Sequence, residues 1–222
     1  MFRFRICYSP IRSVQFFREF NFTRVVMSSA VPEVLILDHS FVNRLQSDLK
    51  APFDARTDSH FYLEGAATVQ LFGAGGRTVE KLGRYDLHVV RRLAPDVVIL
   101  EVATNDLSDV GPEVVGSSIE ELVRLLLDDF SVNMVGVCHA IPRGVSFTDW
   151  EDFLQRAAIL NNYVRVVLEP FPNAFCWTHK DFSSPHKDLY LEDGVHVNSL
   201  GQCFLYRSYR GAILKALGPL RS

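Results

Sequence analysis

No apolar run in this chain approaches the roughly 20 residues that a membrane-spanning helix requires, so the sequence offers no candidate span. Cysteine is scarce. Cys7, Cys138, Cys176 and Cys203 are the whole supply, and none is spaced with another cysteine or with a histidine as a zinc site would need. Cys138 and Cys176 sit inside apolar runs, where a small buried thiol is expected. This usage favours a reducing, cytoplasmic setting and argues for no metal or other cofactor. The net charge is only −3, which gives no electrostatic case for nucleic acid or an anionic membrane surface as partner. Internal repeats and low-complexity tracts are absent.

Acidic residues are missing from one place in particular. Residues 1–32 carry Arg3, Arg5, Arg12, Arg18 and Arg24 against the single Glu19. With this segment at +4 and the whole chain at −3, the rest stands at −7. Residues 1–32 are expected to be an unstructured extension ahead of a domain over 33–222. An Arg-rich, acid-poor stretch over residues 1–26 is also the composition of a mitochondrial transit peptide, an alternative to the cytoplasmic address. A translation start at Met27 would remove it.

From residue 33 short apolar runs alternate with longer helical patterns. Residues 34–37 read as a strand and 41–49 as a helix, with Phe41, Val42, Leu45 and Leu49 at helical spacing. Further strands are predicted over 68–72, 97–102, 132–139 and 174–177, and helices over 78–93, 113–129, 149–168 and 199–217. The third strand is continuously apolar apart from Glu101, as expected when both sheet faces are buried. Strand and helix in alternation predict an α/β domain whose five-stranded, mainly parallel sheet has helices on both faces. Functional groups in such sheets gather beyond the carboxyl ends of the strands. The longest connections, 51–66 and 178–192, have the length of loops that cover a site.

Three short segments fall near such strand ends, and a fourth precedes the last helix. Ser40 follows the first strand and would open a helix, where it is either a plain N-cap or a hydroxyl beside the helix dipole. Gly73-Ala74-Gly75-Gly76-Arg77-Thr78 follows the second strand. It lacks the full G-x-G-x-x-G spacing and the acidic partner of a dinucleotide site, but Gly76 could aim a backbone N–H at an oxyanion. Asn105, in Ala103-Thr104-Asn105-Asp106, offers a side-chain amide, or an ordinary cap. Asp193-Gly194-Val195-His196-Val197-Asn198 places an aspartate three residues before a histidine ahead of the last helix. That spacing lets the carboxylate fix the imidazole's tautomer while the ring takes a proton from a serine. His60, His88, His139, His179 and His186 read as surface or structural residues, with His139 able to line a pocket rim.

These four segments together resemble the SGNH hydrolases, also called GDSL-type esterases and lipases, over residues 33–217. More weakly, the chain resembles the esterase-like domains of some animal retroelements. The resemblance implies a flavodoxin-like three-layer α/β/α fold, with Ser40 as nucleophile, His196 as base and Asp193 as its partner. It implies an oxyanion hole from the Ser40 and Gly76 amides and the Asn105 side chain. The chain departs from the family at Asp38 and Ala103, where glycines are usual, and at His39, where an aspartate is usual. A carboxylate at Asp38 is expected to oppose charge developing on an oxyanion. The resemblance implies a metal-independent serine hydrolase that cleaves a small carboxyl ester, acyl or acetyl, through an acyl-enzyme. The alternative is a catalytically weak or inactive domain of the same fold that binds a ligand or partner. A flavodoxin-like nucleotide binder would need a phosphate loop that the chain lacks.

Overall fold

The strand–helix alternation is realised as a five-stranded, all-parallel sheet. The computed structural model describes residues 31–38, 40–50, 58–145, 147–182 and 187–221. The extension expected over 1–32 lies almost wholly outside them. The strands are β1 (Glu33–Asp38), β2 (Thr68–Gly73), β3 (Val97–Glu101), β4 (Met134–Cys138) and β5 (Ala174–Trp177). The helices are α1 (Ser40–Lys50), α2 (Val79–Tyr85), α3 (Leu87–Leu93), α4 (Pro112–Asp128), α5 (Trp150–Leu168) and α6 (Ser199–Leu217). The strand order is β2-β1-β3-β4-β5, the order of the flavodoxin-like doubly wound fold.

Alternation along the strands sorts side chains between two cores. Val34, Ile36, Val97 and Ile99 pack with α1 and α6 through Phe41, Leu45, Leu205 and Ile213. Leu35, Leu37, Val98 and Leu100 face the other way, onto Leu82, Val90, Ile119, Val123, Leu160 and Val164 of α2 to α5. The central strands are buried on both faces, which is why they read as apolar runs without a polar alternation. The result is three layers, α/β/α. No helix among the described residues is long and apolar enough to cross a membrane.

Three sequence expectations are corrected or sharpened. The helix over 78–93 is two helices, α2 and α3, meeting at Asp86. Asp86 is buried, and its carboxylate receives the Arg77 guanidinium at 2.8 and 3.1 Å, a tie that a continuous amphipathic helix would not make. The fourth strand spans five residues rather than 132–139, because Asn133 and Met134 donate to the Asp96 carbonyl and Val132 closes the end of α4. In the 51–66 connection, the described part lies on the α6 side of the sheet. Phe61 is buried with its ring stacked on Tyr206 at 4.5 Å, and Arg210 donates to its carbonyl. Residues 51–57 lie outside the described residues.

Candidate active site

In this strand order β1 has β2 on one side and β3 on the other, so the chain reverses its direction of winding between β1 and β3. A crevice opens outside the carboxyl ends of the strands at such a point. The register aligns the three ends: Asp38 pairs with both Gly73 and Glu101. Ser40 therefore lies two residues beyond the end of β1, Gly76 three beyond β2, and Asn105 four beyond β3. Ser40 opens α1 and is half-buried. The Asp38 side chain, expected to face an oxyanion, and the whole of His39 lie outside the described part of the chain.

The Gly76 and Asn105 segments are bound to each other. Asn105 Nδ2 donates to the Arg77 carbonyl at 2.8 Å, which uses one of its two N–H groups. Asp106 accepts from the Val79 amide at 3.0 Å, and Thr78 caps α2 through Lys81 N. Burial pushes the Asp106 carboxyl up, against the lowering effect of the Val79 hydrogen bond. Gly76 has φ of +68° and is exposed, with nothing near the place a Cβ would occupy. A ligand can therefore approach its backbone.

The backbone at Ala103 shows what a glycine would supply there. Its φ is +80°, in the left-handed region where a Cβ is unfavourable, and the residue is fully buried. The conformation turns the chain off β3 into the loop that carries Thr104 and Asn105. Arg143, buried between the Phe147 and Phe153 rings, donates to the Thr104 carbonyl at 3.3 Å. Neither Asp106 nor Arg143 stands out in the sequence as a support for this loop, since each acts through a contact tens of residues away.

The Asp193–His196 turn is built tightly. Tyr190 and Val197 form an antiparallel bridge, and Leu191 N donates to the His196 carbonyl at 2.7 Å. Asp193 Oδ1 accepts from the Val195 and His196 amides at 2.8 and 2.9 Å, while Oδ2 accepts from His196 Nδ1 at 2.7 Å. Partial burial pushes this carboxyl up. The His196 ring and the two amides outweigh that and hold it at about 2. Gly194 adopts φ of +63°, and a Cβ there would overlap the Phe147 backbone nitrogen. Asn198 caps α6 through Gly201 N and donates to the Asp188 carbonyl, which fixes where the turn meets the helix.

With Nδ1 occupied by Asp193, His196 presents Nε2. Nε2 makes no hydrogen bond to a described residue, Ser40 included. The helix that Ser40 opens and the segment around His196 line a common cleft, of which Ser40 and His196 are not themselves lining residues. The cleft, of about 270 Å³, is lined by Asn43, Arg44 and Ser47 of α1 on one side and by Leu191, Val197 and Gln202 on the other. The contact that would complete a triad is open, as nucleophile–base contacts often are without substrate.

Glu101, Cys138 and His179 form a separate, buried cluster whose ligand atoms all lie within 4.8 Å of one another. His179, expected to be a surface or structural residue, is buried, and its Nε2 bonds Glu101 at 2.6 Å. His139 lines a cavity with it, while His60 and His88 are exposed; His186 lies outside the described residues.

No protein-family model and no curated protein matches the chain. Solved structures do. A GDSL-like lipase from Bacteroides thetaiotaomicron aligns with a TM-score of 0.64 and 15% identity, over 86% of this chain and 93% of its own. A Bacteroides fragilis protein named for acylhydrolase activity aligns with a TM-score of 0.67 and 19% identity, over 86% and 92%. A catalytic mutant of an acetylxylan esterase from Geobacillus stearothermophilus gives 0.60 and 17%, over 86% and 96%. At such identities the likeness is one of fold, and the chain has the three-layer α/β/α fold of the GDSL-type esterases and lipases.

Proposed function

We propose that the protein is a serine hydrolase that cleaves a small carboxyl ester through an acyl-enzyme. The observation that carries the reading is the Asp193–His196 contact, with Nδ1 held by a carboxylate that stays ionised, which leaves Nε2 as the basic atom of the ring. In the proposed reaction His196 Nε2 takes the proton of Ser40 Oγ as that oxygen adds to the ester carbonyl. The oxyanion is received by the Ser40 and Gly76 amides and by the second N–H of Asn105, the last two on loops joined by the ties at Arg77 and Val79. Collapse expels the alcohol, which leaves with the proton from His196. Water, deprotonated by the same imidazole, then releases the acid and regenerates Ser40. An acetyl or other short acyl group is the substrate this reading favours, since acetyl esterases are among the solved structures that share the fold.

A second reading is a weak or inactive domain that binds a ligand. It is favoured by the open Ser40–His196 contact and by alanine in the strained position 103. Labelling with a fluorophosphonate separates the two, because only an activated serine is phosphonylated. Labelling of the native chain that disappears in Ser40→Ala supports the hydrolase. Labelling at another serine, or none, overturns it.

A further inference from the structure

Glu101 occupies a position that alternation assigns to the apolar core between the sheet and α6. It follows Val97 and Ile99 on that face, ends β3 and is fully buried. One carboxylate oxygen, Oε2, meets His179 Nε2 at 2.6 Å. The other, Oε1, is buried with no hydrogen-bond partner among the described residues. A buried carboxylate oxygen without a donor is among the costlier features a core can hold, and a bound cation is one way to offset that cost.

Cys138 ends β4, the strand beside β3, and its sulfur lies in the same cluster as the Glu101 carboxylate and His179 imidazole. From this we infer that Glu101, Cys138 and His179 form a binding site for a borderline-soft divalent cation, with zinc as the best-fitting ion. Thiolate, imidazole and carboxylate together are a donor set that selects zinc over magnesium or calcium.

The surroundings match such a site. His179 Nδ1 lies 2.8 Å from Ser208 Oγ on α6, which itself accepts from Trp177 Nε1 at 2.9 Å. A ligating imidazole needs its proton on Nδ1 and an acceptor to hold it there, and Ser208 supplies that acceptor. The Tyr209 and Phe182 rings contact the imidazole edge to face at 5.5 and 6.4 Å, which fixes its plane. His179 also lines a cavity of about 220 Å³ together with His139, Thr178, Asn161 and Phe182. His139 Nε2, on the residue after Cys138, is also buried with no partner among the described residues.

Ion entry releases the thiol proton of Cys138 to solvent and moves the proton of the Glu101–His179 hydrogen bond from Nε2 to Nδ1, where Ser208 Oγ accepts it. Zinc sits about 2.0 Å from oxygen and nitrogen, so Oε2 and Nε2 must part by roughly 0.7 Å to hold it in tetrahedral geometry. Rotation about the Glu101 side chain supplies that movement and can bring Oε1 onto the ion.

The site is separate from Ser40 and His196, so it stands whether or not the protein is an esterase. The chelator-treated full chain is titrated with zinc by calorimetry and with cobalt(II) by absorbance. The expected result is one equivalent per chain and an intense near-ultraviolet thiolate-to-cobalt band. Cys138→Ser should abolish the band, and both it and Glu101→Gln should weaken zinc at least tenfold. Ser40→Ala should bind as the native chain does. X-ray absorption of the zinc-loaded native chain, which needs no variant, should show one sulfur at about 2.3 Å. No stoichiometric binding, a shell of nitrogen and oxygen only, or undiminished affinity in the folded Cys138→Ser chain overturns the assignment.

Discussion

Replacing Asp193 by asparagine tests the proposed chemistry at its most constrained point. The aspartate Oδ1 is pinned by two backbone N–H groups, at 2.8 and 2.9 Å, and Oδ2 faces His196 Nδ1 at 2.7 Å. An asparagine in the same pose must give its oxygen to the two amides, because its NH₂ cannot accept from them. The NH₂ then faces Nδ1, which has to become an acceptor, and the ring proton moves to Nε2. In that tautomer Nε2 cannot take the proton of Ser40. The same exchange of carboxylate for amide in a serine triad lowers turnover by roughly ten-thousandfold, about 5 kcal/mol of barrier. The fold should survive, since the Asp193 side chain is 47% exposed and its removal empties no core position. The assay is the rate of fluorophosphonate labelling and of p-nitrophenyl acetate hydrolysis, beside circular dichroism of both chains. A folded Asp193→Asn chain that labels within tenfold of the native rate would refute the reasoning.

Three further outcomes are expected. Asn105→Ala should lower kcat by about 10²–10³ with little change in KM, the typical loss of one oxyanion donor; an equal rise in KM would assign the amide to ground-state binding. Gly194→Ala meets both a left-handed φ and the Phe147 backbone, so it should destabilise by at least about 2 kcal/mol, a fall in Tm of roughly 4–8 °C; an unchanged Tm would mean the turn adopts another conformation. Asp193 titrates at about 2, below the roughly 3.9 of an unfolded aspartate, so its contact with His196 stabilises above pH 4 and is lost as pH falls through 2. The native and Asp193→Asn chains should therefore differ in Tm at pH 6 and converge near pH 2, and a difference that persists there would show another cause.

The elements whose signal is local were legible in the sequence. The runs at 34–37 and 97–100 are apolar because two helix layers cover both faces of the sheet, and periodicity reports that directly. The turn at 193–198 was legible for the same reason: Asp193, Gly194, His196 and Asn198 interact within a few residues, so spacing alone carries the geometry. Even the departure at Ala103 was visible, although only its φ of +80° shows what glycine would supply there.

Only the tertiary structure decided the contacts made between distant segments. The division of 78–93 into two helices depends on Arg77 reaching a buried Asp86, and the Gly76 loop is set by Asn105 and Asp106 from the far side of β1. Glu101 was readable as one acidic residue in an apolar strand, yet its partners are 37 and 78 positions away, on a neighbouring strand and on the loop after β5. Sequence spacing encodes a ligand set only when the ligands share one turn or one helix. Here parallel pairing of β3 with β4, and the packing of α6 behind them, bring carboxylate, thiol and imidazole together, and no pattern along the chain could announce that.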